Sequence, residues 1–322
     1  MSIVTNRKEV EKIYDKLRDK EIVMPTFCTG SFWNTEAIVL AAQRFAEKYG
    51  IAKVPVSLSI TYCLENSPQS KRMLYCGVPQ TGLRAHMRFL DVLCNDSFSP
   101  YKNVMVMPHL DHADPERDHW ALTEGRENFA TIMFDAQRFP LEKNIELTSA
   151  YVKKFGSDVM IEGIVDRLKT HGEKVTNEHA TDWDYAKNVK DYMDKTKVDF
   201  VVVDLGTEQQ ASSGEKAKYL SERARTLNKS LDRASLVVHG GSSLAEEILP
   251  VLASDGIIRA NMWTRIVRSA GKYAYEQMRE RDKAIESEDF ESIESRMYTR
   301  DSVEKASEIM EEIFSLLGFA KL

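Results

Sequence analysis

Residues 104–112 read Val104-Met105-Val106-Met107-Pro108-His109-Leu110-Asp111-His112. The first positions are apolar on both faces, as in a parallel strand covered by helices on one side and by other strands on the other. The run then ends in two imidazoles and a carboxylate. Comparable apolar runs precede it at residues 22–28 and 54–61 and follow it at 131–135, 159–163, 200–205, 236–240 and 257–261. Segments of helical period separate them, at 36–49, 82–94, 141–155, 183–195, 215–228 and 244–253, and residues 262–285 follow the last run. Eight strands alternating with helices predict an α/β fold, a closed (β/α)₈ TIM barrel. The alternative, an open doubly wound sheet, lacks the Gly-rich fingerprint expected after its first strand.

Beyond the eighth unit, residues 279–300 are highly charged, and 302–317 form an amphipathic helix with Ile309, Ile313, Leu316 and Leu317 on one face. The expected organisation is a barrel over 1–285 and a C-terminal helical tail over 286–322. The tail is too short for a core of its own, so it packs on the barrel or at an oligomer contact. Residues 66–81 form a long connection after the second strand, open to either a functional or a plain surface role.

The 322 residues are 43% hydrophobic and 29% charged, with 15 Gly and 9 Pro, which excludes disordered and collagen-like chains. No apolar run approaches the roughly 18 to 20 residues of a membrane span, and residues 2–8 have no apolar signal region. A cytoplasmic protein is expected, without membrane contact. Its 44 basic and 50 acidic residues leave a net charge of -6, which argues against a nucleic-acid partner. Cys28, Cys63, Cys76 and Cys94 lack metal-type spacing and read as reduced structural thiols.

Active sites of barrels lie where the strands end. Here the strand ends carry His109, Asp111, His112, Asp135, Glu162, the run Gly206-Thr207-Glu208-Gln209-Gln210, His239 and Asn261. Any one of them has an ordinary structural use. Together, imidazoles and carboxylates at one mouth suit Zn²⁺ or a similar divalent ion. The run Gly240-Gly241-Ser242-Ser243 offers close backbone approach, free N–H groups and hydroxyls to a phosphate, at the place barrels commonly use. A tight turn with Ser243 as a helix cap is the competing reading.

The ordered segments His109-Leu110-Asp111-His112, Met133-Phe134-Asp135-Ala136 with 140–144, Ile161-Glu162-Gly163, Leu205-Gly206-Thr207, Val238-His239-Gly240-Gly241-Ser242 and 258–264 resemble the class II, metal-dependent fructose-bisphosphate or ketose-bisphosphate aldolases over roughly the whole chain. The resemblance implies a barrel, usually a homodimer or larger homo-oligomer, that joins dihydroxyacetone phosphate to an aldehyde or reverses that step. It implies Asp111 as catalytic acid/base, His112 and His239 as ligands of the catalytic metal, and Asp135 and Glu162 as carboxylates of a second metal site. Thr61, Gly240, Gly241, Ser242, Asn261 and Thr264 fall at substrate-binding positions. The metal is expected to be Zn²⁺, with Mn²⁺ or Co²⁺ as alternatives.

Three departures stand out. Gln209-Gln210 replaces the family's His-Gly, so Gln209 holds the third ligand position, with Glu208 or His179 as substitutes. Trp263 replaces a carboxylate, and Ile164 replaces the second acid of a Glu-x-Glu pair. They point to a diverged lyase that uses an aldehyde other than glyceraldehyde phosphate. The alternatives are a barrel that binds a sugar phosphate or partner without aldol chemistry, and a metal-dependent epimerase. Arg259 and Arg265 are candidate counter-charges for the phosphate.

Overall fold

The computed structural model describes residues 2–170, 181–211, 217–289 and 295–322. Eight strands, β1 (Met24–Cys28), β2 (Val54–Thr61), β3 (Val104–Ala113), β4 (Thr131–Phe134), β5 (Met160–Ile164), β6 (Phe200–Val202), β7 (Leu236–Val238) and β8 (Ile257–Met262), close into a barrel in chain order. Every neighbouring pair is parallel, β8 returning to β1 through Thr26 opposite Asn261. The expected TIM barrel with a C-terminal helical extension is therefore what the chain forms. Among the described residues, no helix is long and apolar enough to cross a membrane.

A helix over Arg7–Asp19, which carries no signal in the strand-and-helix alternation, precedes β1; Asn6 caps it by accepting from the Lys8 and Glu9 N–H groups. It closes the lower end of the barrel. Tyr14 is fully buried with its ring 4.7 Å from Phe200, and Arg7 forms two hydrogen bonds of 2.8 and 2.6 Å with Asp199, next to the start of β6.

Strand lengths differ from expectation where local chemistry intervenes. β6 stops at Val202 because Asp204 turns the chain: its Oδ1 accepts from Gly206 N–H, as in an Asx turn. β5 continues to Ile164, so Glu162 lies inside the strand instead of at its end. The helix expected over 244–253 is replaced by one 3₁₀ turn, Glu246–Val251, after an earlier 3₁₀ turn at Gly241–Ser243. Pro250 explains this, since it offers no N–H and its ring opposes the carbonyl four residues back. The helix expected over 215–228 runs Ser221–Ser230, and Glu215 lies outside the described residues.

The last strand leads into the helix Thr264–Glu280 and the short helix Asp282–Glu286. The C-terminal helix spans Ser295–Leu316 and packs against Phe32–Tyr49 and Thr264–Glu280. Val303, Ala306, Met310, Ile313, Phe314 and Leu317 are buried there, whereas Ile309 and Leu316 are half-buried. Phe314 sits 5.5 Å from Phe27 and 5.4 Å from Phe45, and Arg44 grips Glu304 through bonds of 2.8 and 2.9 Å. Each fully buried side chain of this size contributes about 1.5–3 kcal/mol. The tail thus seals the outside of the barrel beside β1.

Candidate active site

β3 pairs with β4 through His109 opposite Thr131 and Leu110 opposite Ile132, then slips so that Ala113 faces Phe134. The slip is a bulge, and His112 adopts φ 49° within it. In a regular strand Asp111 and His112 would face opposite sides. The bulge re-aims His112 so that its Nε2 lies 4.0 Å from Asp111 Oδ1, both at the mouth of the barrel.

His239, just beyond β7, faces His112 edge-on with ring centroids 5.0 Å apart. Each imidazole is steadied from behind by a carboxylate. His112 Nδ1 donates to Asp135 Oδ2 at 2.7 Å, and His239 Nε2 donates to Glu162 Oε1 at 3.3 Å. The remaining nitrogens, His112 Nε2 and His239 Nδ1, converge on the Gln209 amide, whose Nε2 lies 2.9 and 3.3 Å from them. With both rings neutral, that amide donates to two lone pairs at once. Burial alone would lower the His112 pKa, but Asp111 and Asp135 outweigh it and raise it to about 9. A proton on Nε2 then requires the same amide to present its oxygen.

Asp111 is buried, with Oδ2 accepting from Ser59 at 3.1 Å and from the Cys28 thiol at 3.9 Å. Its Oδ1 has no hydrogen-bond partner and lies 3.8 Å from His109 Nε2. Burial opposes its charge, yet His112, His109 and His239 hold the carboxyl well below the usual range. Asp111, His112 and His239 each bring a ligand atom to within 4.8 Å of the others. A buried, unpartnered carboxylate oxygen beside two convergent imidazole nitrogens is a donor set that fits a divalent metal ion.

Above this floor opens a cleft whose walls include Thr61, Gln69, Gly240, Ser242, Asn261, Trp263 and Thr264. Gly240 holds φ 68°, and a Cβ there would lie 2.6 Å from the Glu208 carbonyl oxygen, so only glycine fits. Gly241 and Ser242 follow in the 3₁₀ turn, and Ser242 Oγ accepts from Trp263 N–H at 3.1 Å.

The sequence pattern of the family described as fructose-bisphosphate aldolase class-II matches residues 8–321. The chain belongs to that family. It is similar to the fructose-bisphosphate aldolase of Thermus caldophilus, at 25% identity over 247 residues, covering 76% of this chain and 72% of that one. Its fold is similar to the crystal structure of fructose-bisphosphate aldolase from Campylobacter jejuni, with a TM-score of 0.75 at 16% identity over 98% of this chain and 95% of the other. The YdjI aldolase from Escherichia coli K12 aligns with a TM-score of 0.64 at 17% identity, covering 98% and 97% of the two chains.

Against the class-II aldolase pattern, the expected residues separate into two groups. Asp111, His112, Gln209, His239, Gly240, Ser242, Asn261, Thr264 and Thr61 all line the cleft, and Gly241 lies in the turn beside it. Thr61 bonds inward: its hydroxyl donates to the Ser67 carbonyl and accepts from Gln69 N–H at 3.0 Å, tying down the connection after β2. Asp135 and Glu162 stand behind the imidazoles, not in the cleft. Arg259 is no counter-charge for a phosphate, because it is fully buried within the barrel, 3.0 Å from Glu162. Arg265 bonds to the Leu244 carbonyl and to Glu246 at 3.4 Å. Glu208 pairs with Lys169, and His179 lies outside the described residues.

Gln210 keeps the glycine-type conformation of the position it occupies, with φ 54°. Trp263 leans across the rim, its Cη2 3.2 Å from where a Cβ on Gly30 would stand, with Gln69 alongside. Sequence reasoning missed Ser59 and set Cys28 aside as structural, although both hold Asp111. Ser59 was within reach of a period-two reading, since it points to the same face of β2 as Thr61.

Proposed function

We propose that the chain is a metal-dependent aldehyde-lyase that makes or cleaves a carbon–carbon bond in a phosphorylated ketose, joining dihydroxyacetone phosphate to an aldehyde. The observation that carries this reading is the convergence of His112 Nε2, His239 Nδ1 and the unpartnered Asp111 Oδ1 on the floor of one cleft. His112 and His239, with the amide oxygen of Gln209, would hold the divalent ion, Zn²⁺ first and Mn²⁺ or Co²⁺ as alternatives. When bound, such an ion supplies Lewis-acid stabilisation of negative charge on the ketone oxygen as an enediolate forms.

Asp111 is the acid/base. Ionised and gripped through Oδ2 by Ser59 and Cys28, it keeps Oδ1 available to take the hydroxyl proton in cleavage and to return it in synthesis. The Gly240–Ser242 backbone and the Ser242 and Thr264 hydroxyls receive the phosphate. Asn261, 3.1 Å from His239, and the Thr61-anchored connection shape the rest of the pocket. Trp263 in place of a carboxylate favours an aldehyde other than glyceraldehyde phosphate. A homodimer or larger homo-oligomer working in the cytoplasm is part of the same proposal, with Asp135 and Glu162 serving the metal ligands from behind.

One observation favours a second reading. The Gln209 amide nitrogen satisfies both imidazoles without any ion, which suits a barrel that binds a sugar phosphate and has lost aldol chemistry. A panel of aldehydes with dihydroxyacetone phosphate, read by product mass with and without EDTA, separates the two. Adducts formed only without EDTA support the lyase; phosphate binding with no adduct from any aldehyde supports the second reading.

A further inference from the structure

Beneath the cleft lies a charged cluster that the proposed reaction does not use directly. Arg259 is fully buried, with Nη2 at 3.0 Å from Glu162 Oε2 and 2.9 Å from His109 Nε2, Nη1 3.3 Å from Thr131 Oγ1, and its guanidinium 5.6 Å from the Phe200 ring centre. Glu162 is equally buried, and its other oxygen receives His239 Nε2–H. Oε2 forms an ion pair by distance without an aligned hydrogen bond, so the guanidinium acts on it chiefly as a charge.

Asp135 is occupied in a parallel way. Its Oδ2 takes bonds from His112 Nδ1 at 2.7 Å and from Gln137 Nε2 at 2.8 Å, and its Oδ1 takes one from Gln137 N–H at 3.1 Å. Ile164 is a buried hydrocarbon. The two carboxylates expected at a second metal site are therefore engaged elsewhere, one by an internal cation and one by an amide and an imidazole, and the third position has no donor atom.

We infer that this site takes one divalent ion per chain, and that Arg259 is the fixed internal counter-cation whose partner Glu162, together with Asp135, sets which nitrogen of His239 and His112 faces that ion. This rests on the metal-dependent reading above. Arg259, Glu162 and Asp135 are positioning residues, since they act through the imidazoles. A carboxylate that receives the far N–H of a ligating histidine fixes its tautomer and orientation and strengthens it as a ligand.

The test is a metal titration of the full chain with Zn²⁺ and with Co²⁺, in competition with a chromophoric chelator, needing no substrate. One ion per chain is expected. Glu162→Gln and Asp135→Asn should each keep that stoichiometry, weaken the one site about 10- to 100-fold, and shift the visible absorption of bound Co²⁺. Arg259→Lys, which keeps the buried charge, should fold and retain one ion. Two ions per chain would overturn the inference, as would E162Q and D135N proteins that hold Co²⁺ with unchanged affinity and spectrum. One ion with no turnover on any aldehyde would keep this inference and remove the lyase; two ions with turnover would do the reverse. No ion at all would remove both.

Discussion

Gln209 places its amide nitrogen 2.9 Å from His112 Nε2 and 3.3 Å from His239 Nδ1, and the proposed metal site gives its amide oxygen the third ligand position. An amide oxygen is a weaker ligand for Zn²⁺ than an imidazole. Gln209→His should therefore raise metal affinity by at least about 10-fold, and Gln209→Ala should lower it, measured by chelator competition. An unchanged affinity in the histidine variant would mean that this side chain is not directed at the ion.

Asp111 is the residue on which turnover should depend most. Asp111→Ala is expected to fold and to retain the ion through His112 and His239, while kcat/KM falls by about 10²–10⁴. Activity assays beside metal analysis and thermal melting check this. Retained turnover would remove Asp111 from its role.

Trp263 lines the cleft, and Gly30 packs against its indole. The conformation of Gly30 is an ordinary one, but an added methyl would press on the indole at 3.2 Å. Gly30→Ala should move that ring, changing KM for the aldehyde several-fold while metal content stays at the wild-type value, and Trp263→Ala should act in the same sense. Steady-state kinetics over a series of aldehydes of increasing size reads the effect.

His86 offers a test of stability far from the chemistry. It is fully buried, its Nε2 lies 3.0 Å from Thr35 Oγ1, and burial lowers its pKa to about 4. An unfolded histidine titrates near 6.5. The unfolded chain therefore binds this proton first, so the contribution of neutral His86 is complete above about pH 6.5 and is lost as pH falls towards 4. The shift corresponds to about 3 kcal/mol. Chemical denaturation of wild type and His86→Gln should show a smaller loss for the variant across that window; parallel curves would contradict the assignment.

Much of this was legible in the sequence because barrels write their architecture as alternation. The eight apolar runs named the strands, and the polar residues at their ends named Asp111, His112, His239 and Asn261. What escaped has a physical cause in each instance. The bulge at His112 is a backbone event with no residue signature, and the 3₁₀ turn Glu246–Val251 follows from one proline. Glu162 looked like a strand end because its inward-facing neighbour, Arg259, comes from β8, nearly a hundred residues later. Cys28 was hidden for a similar reason: it reaches Asp111 from β1, two strands away.

The most direct measurement of the proposed chemistry needs no knowledge of the aldehyde. Dihydroxyacetone phosphate is incubated with the protein in D₂O, with Zn²⁺ or with EDTA, and deuterium entering the carbon next to the ketone is read by mass spectrometry and NMR. Exchange that requires the ion and stops with EDTA is expected. No exchange above background from a metal-loaded, folded chain would contradict enediolate chemistry at this site.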